Sequence, residues 1–183
     1  MENNYQNLQV KVIDRSWLAN LAMTGGLGIT ASLLPFFLHS QYITGPIINA
    51  VFILSLFWLG RRSAYTIAFM PSLAALLGGL LPLPLLPLVP FIIASNLILI
   101  FSLDLWQRRR PQSSYFPGLI LAALAKFTFL FLSAKMLGLI LSPRLMPVLG
   151  QMFGLVQLWT ALAGGLLAWA ILKGRPFLAN KKL

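Results

Sequence analysis

Residues 97–120 read LILIFSLDLWQRRRPQSSYFPGLI. An apolar run closes on a tryptophan, three arginines follow, and after a short polar turn a second apolar run begins. The same device recurs in both directions. Arg61 and Arg62 stand upstream, Lys11 and Arg15 precede them, and Lys173, Arg175, Lys181 and Lys182 close the chain. Between consecutive basic clusters lies enough apolar sequence for a hydrophobic hairpin, out and back. Eleven of the fourteen Lys and Arg residues therefore fall on one side of a six-stroke pattern. Loops rich in Lys and Arg stay cytoplasmic. The expectation is an all-α integral membrane protein with six transmembrane helices and both termini cytoplasmic. A net charge of +11 then describes topology and contact with anionic lipid, not nucleic-acid binding.

Composition agrees. Of 183 residues, 58% are hydrophobic and 9% charged, against about 25% charged in a soluble domain. The length suits one compact membrane domain: a cytoplasmic segment over 1–16, six helices within 17–172 and a basic tail over 173–183. The absence of Cys excludes disulfides, thiolate metal sites and a Cys nucleophile. The opening MENNYQNLQVKVIDRS is polar, holds two acids and lacks the build of a signal peptide. The first apolar stretch is then expected to be a retained helix, in the plasma (inner) membrane of a bacterium.

A spanning helix needs about 20 mostly apolar residues. The expected spans are 17–38, 43–59, 63–81, 88–106, 115–141 and 145–172. Trp17, Trp58, Tyr65, Trp106, Tyr115 and Trp169 all fall at expected cytoplasmic ends, where amphipathic rings favour the interface. The outer loops are different in kind. Loop 39–44 carries no charge, and LPLPLLPLVP (81–90) sets Pro82, Pro84, Pro87 and Pro90 among Leu and Val. Such spacing opposes a regular helix. The segment reads either as a cap packed over the outer end of the bundle or as a tight hairpin half-buried in headgroups.

Polar groups inside a membrane are costly, and so they point to function. At about 1.5 Å rise per residue, Asn49, Asn96 and Lys135 each lie about 6–9 Å inside the outer ends of their helices, and Gln151 at similar depth. This common layer suggests a substrate pocket opening outward, which His39, Gln41, Tyr42 and Arg144 could close. Each has a plainer reading: helix–helix glue for the amides, snorkelling for Lys135, a loop residue for His39. Lys126 lies too deep to reach either surface and must face protein or a water-filled cavity. It is separated from Lys135 by about 900° of helix, half a turn out of phase. A straight helix cannot aim both into one pocket, and which of them faces it stays open. Gln157 and Trp159 lie at similar depth in the sixth helix. Trp159 either stacks on a ligand or fills the core.

The three acids, Glu2, Asp14 and Asp104, sit at or outside the cytoplasmic boundary. Ion-coupled carriers usually place carboxylates in the membrane, so self-driven transport is disfavoured. A pocket of Lys and amides suits a neutral or anionic solute. No Walker, GxSxG, HExxH or Asp-rich metal motif is present. With one His and three peripheral acids, no catalytic residue, metal site or cofactor is expected.

Small residues mark a second surface. Ala22, Gly26 and Thr30 recur at four-residue spacing in the first helix, and Ala161 and Gly165 in the sixth. Such spacing lets backbones approach closely. The two patches either pack on each other or dock a partner membrane protein.

The small-residue motif Ala22-x-x-x-Gly26, with GPIINAVF (45–52), PSLAALLGG (71–79) and QLWTALAGGLLA (157–168), resembles the S components of energy-coupling-factor (ECF) transporters, an ABC-importer class. The resemblance covers nearly the whole chain. It implies six helices, no enzymatic activity, and capture of a vitamin-like or other small solute from outside. It also implies docking of the first helix on a transmembrane coupling subunit driven by two cytoplasmic ATPase subunits. The motif here is Ala-x-x-x-Gly where the family's pattern has two alanines. The alternatives are an MreD-like six-helix scaffold and a membrane-embedded transferase using Lys126 or Lys135 against a lipid phosphate.

Overall fold

A computed structural model of the chain describes residues 15–38, 40–79, 83–110, 115–139 and 146–174. The helices are α1 (Arg15–Phe37), α2 (Gln41–Trp58), α3 (Arg61–Leu77), α4 (Val89–Arg109), α5 (Tyr115–Leu137), α6 (Met146–Phe153) and α7 (Leu155–Lys173), with a 3-10 helix over Leu83–Leu88 leading into α4. Among the described residues, five segments are long and apolar enough to cross a membrane: Trp17–Phe37, Gln41–Trp58, Pro84–Arg109, Tyr115–Leu137 and Met146–Lys173. The protein is an all-α, multi-pass membrane protein. The remaining expected span, α3, is 17 residues long and opens on Arg61 and Arg62. It packs within the bundle, mainly on α1 and α4.

α2 is the axis of the bundle. Every residue from Asn49 to Leu56 is buried, because the run NAVFILSL offers an apolar or small side chain in every direction. A helix that is apolar all round can be enclosed on all sides. Its closest neighbour is α7, and the crossing depends on two glycines. A Cβ on Gly164 would lie 2.6 Å from the Pro46 carbonyl oxygen and 2.7 Å from Asn49 Cβ. One on Gly45 would lie 2.6 Å from Thr160 Cγ2. Bare backbones therefore meet there, the close approach that small residues permit in membranes. At the end of α2 the chain reverses through Gly60, whose φ of +85° a side chain would strain.

The sixth apolar segment is not one helix. Gly154, at φ −84° and ψ −157°, leaves helical geometry and separates α6 from α7. The Gln157 side chain bridges the break by donating from Nε2 to the Met152 carbonyl, 2.7 Å away. The proline segment also departs from expectation. It is a 3-10 helix rather than non-helical chain, because prolines three apart stack on one face at three residues per turn. Pro84, Pro87 and Pro90 are exposed, while Leu85 and Leu88 turn inward. These leucines join Leu130, Leu137, Leu149 and Phe153 in an apolar cluster with α5 and α6. The segment is thus a packed cap, the first of its two readings.

At the opposite end Asp104 takes Arg108 at 2.9 Å and Arg61 at 3.6 Å. Tyr115 corrects the interfacial assignment. It is only 2% exposed, stacks with Phe57 and Phe116, and donates its hydroxyl to the Gly165 carbonyl at 3.0 Å. The Gly165 carbonyl supplies the acceptor that a buried phenol requires.

Candidate functional site

The buried stripe of α5 runs Tyr115, Gly118, Leu119, Ala122, Ala123, Lys126, Leu130, Ser133 and Leu137, the spacing of one helix face. Lys126 sits in the middle of that stripe, 3% exposed. Its Nζ donates to Asn49 Oδ1 at 2.8 Å and to Asn96 Oδ1 at 2.9 Å. The amide orientations follow from chemistry. An ammonium has three donors and no acceptor, so both amides must present oxygen to it. Three helices, α2, α4 and α5, are joined through one atom.

The chain of contacts continues into α7. Asn49 Nδ2 lies 3.5 Å from Thr160 Oγ1, which donates to the Gln157 carbonyl at 3.2 Å. A buried polar network of this kind fixes each member by its neighbours. It also depends on the glycine crossing, since Gly164 holds α7 against Asn49 itself.

Beside this network lies a cavity of about 210 Å³. Its polar side is formed by Asn49, Asn96, Lys126, Ser72 and Thr160, with Gln41, Thr44 and Gln157 nearer the chain ends of their helices. Ile48, Pro71, Ala75, Ile92 and Met152 contribute apolar lining. Every element contributes from the half nearest the 38–40, 79–83 and 139–146 connections, apart from the mid-helix Lys126. The basic residues Arg61, Arg62, Arg108, Arg109 and Lys173 lie at the other end of the bundle. Among the described residues, Lys126 is the only charged group lining the cavity.

The structure brings together Asn49, Asn96, Lys126 and Gln157 from the expected substrate-binding set. It leaves Lys135 and Gln151 outside. Lys135 projects from the opposite face of α5, where its Nζ lies 5.5 Å over the Phe131 ring, and Gln151 is exposed on α6. Both share depth with the site but not direction around their helices, which resolves the lysine alternative in favour of Lys126. Trp159 and Tyr42 are each 59% exposed and turn outward, away from the cavity. For Trp159 neither ligand stacking nor core filling holds. His39 and Arg144 lie outside the described residues.

The small-residue patches part company as well. Ala22, Gly26 and Thr30 remain on an exposed face of α1, and no atom lies within 4 Å of a Cβ built on Gly25 or Gly26. Ala161 and Gly165 are buried, the latter against Leu119 of α5. They are packing residues of the core and not a docking face, because α7 turns that side toward α2 and α5. Thr160 and Ser72 were missed by sequence reasoning. Thr160 shares the Ala161–Gly164 face of α7, and that signal was available.

No protein-family model, curated protein or solved structure matches this chain.

Proposed function

We propose that this chain is the solute-capturing membrane subunit of an importer, similar to the ECF S components, and that it does no chemistry of its own. The observation that carries the reading is Lys126, held by Asn49 and Asn96 beside a cavity at the end of the bundle opposite the basic clusters. With Lys- and Arg-rich ends in the cytoplasm, both termini lie inside, α3 completes a six-span topology despite its length, and the cavity faces outward. A charged group at mid-membrane depth is costly, and such groups mark ligand or ion paths.

The exposed small-residue face of α1 supports the second half of the reading. It offers a close-approach surface for a transmembrane coupling subunit, itself driven by two cytoplasmic ATPase subunits. Energy then comes from the partner, in keeping with a described carboxylate, Asp104, that stays at the basic end.

The test is uptake and retention. Protein purified in mild detergent is expected to carry a small molecule that mass spectrometry identifies. Cells expressing it with a coupling module are expected to accumulate that molecule in an ATP-dependent manner. A six-helix scaffold would retain nothing and support no uptake, and that pair of results would sink the proposal.

A further inference from the structure

The cavity's chemistry specifies more than a small solute. Lys126 spends two of its three N–H groups on Asn49 and Asn96, at 2.8 and 2.9 Å, and retains the third. Because Asn96 gives its oxygen to the ammonium, its Nδ2 donors point elsewhere, and its side chain lines the cavity. Ser72, 6% exposed, also lines the cavity and carries a hydroxyl. The amide oxygens of Asn49 and Asn96 are therefore already turned to Lys126, while N–H donors on Lys126 and Asn96 remain. No Asp or Glu lines the cavity among the described residues. Asp104, which has its own partners in Arg61 and Arg108, stands at the far end of the bundle.

From this geometry we infer that the solute is a small monoanion, best a monocarboxylate with an apolar body, whose carboxylate seats on Lys126 and Asn96. The inference rests on the capture reading above and names its substrate class. A single lysine balances a single negative charge, so one carboxylate fits and a dianionic phosphate leaves a charge unmatched. A carboxylate oxygen accepts the third ammonium proton, and the other accepts from Asn96 Nδ2 or Ser72. Bonds of this charge-assisted kind are about twice as strong as neutral ones. The body of the ligand then meets the apolar lining of Ile48, Ile92, Ala75 and Met152. The volume of about 210 Å³ suits a small solute.

Two probes of nearly equal shape decide the matter: acetate and acetamide, titrated calorimetrically into detergent-purified full-length protein. Acetate is expected to bind saturably and acetamide at least tenfold more weakly. Asn96→Asp places a carboxylate beside the ammonium from within, in a side chain of the same size. It is expected to weaken acetate at least tenfold while keeping the fold, and Lys126→Gln is expected to do the same. Lys135→Met, on the outer face of α5, is expected to bind acetate as the unaltered protein does. Equal binding of acetamide, full acetate binding by Asn96→Asp, or no acetate binding at all would each overturn the monoanion assignment. The capture reading fails separately, if the purified protein carries no small molecule of any charge.

Discussion

At the scale of single residues the decisive contrast is between Lys126 and Lys135, nine positions apart on one helix. Placing a lysine at mid-membrane costs about 2.5–3.5 kcal/mol on insertion scales. Its two bonds to amide oxygens return about 1.5–3 kcal/mol each. Together the two bonds return about 3–6 kcal/mol, and Lys126→Met would also leave two buried amide oxygens unpaired, so the variant is expected to lower the melting temperature of ligand-free protein. Stabilisation by bound solute should vanish in the same variant, which differential scanning calorimetry with and without solute would read. Tyr115→Phe makes the opposite case. It deletes the bond to the Gly165 carbonyl, costs about 1 kcal/mol and lowers the melting temperature by about 2–4 °C, with solute binding unchanged. Lys126 was legible in the sequence because mid-helix depth leaves a lysine nowhere else to go. Lys135 and Gln151 were misplaced because depth fixes only one cylindrical coordinate of a side chain. The other, the direction around the helix, became visible only in the buried stripe that runs from Tyr115 to Leu137.

Among the elements, the α2–α7 crossing positions the site. Gly164→Val would thrust carbon into the Pro46 carbonyl and Asn49, and neither backbone can retreat from an enclosed helix. Overpacking of this kind costs about 1–3 kcal/mol. It should also displace Asn49, so solute affinity is expected to fall together with thermal stability in one titration and melt series. Gly25→Ala, where no atom stands within 4 Å of the new methyl, is expected to leave both unaltered. The segmentation into helices was legible, since apolar length and basic punctuation both mark it. The break at Gly154 was not. Glycine is common in membrane helices, and nothing in QMFGLVQ separates a packed glycine from one that abandons helical geometry. The 3-10 turn was half legible: prolines at three-residue spacing excluded an α-helix, while the period that accommodates them needed the buried Leu85 and Leu88 to reveal it.

For the molecule as a whole, cavity and α1 face are separable. Gly26→Leu adds bulk to a surface that meets no other part of the fold, so purified protein is expected to bind solute normally. Uptake by cells carrying the coupling module is expected to collapse, and normal uptake would remove α1 from the docking role. The cap has a kinetic meaning beyond its packing. Ile92 and Met152 line the cavity and also pack against the cluster of Leu85, Leu88, Leu149 and Phe153. On the capture reading, passage past that apolar cluster would set the barrier to entry and exit, and the contacts of Lys126 would set the affinity. Trimming the fully buried Leu88 to Ala should cost about 2–5 kcal/mol of stability, and in the folded protein it should quicken association and dissociation in equal proportion and leave Kd where it was. Residence time and affinity would then be governed by different parts of one small bundle.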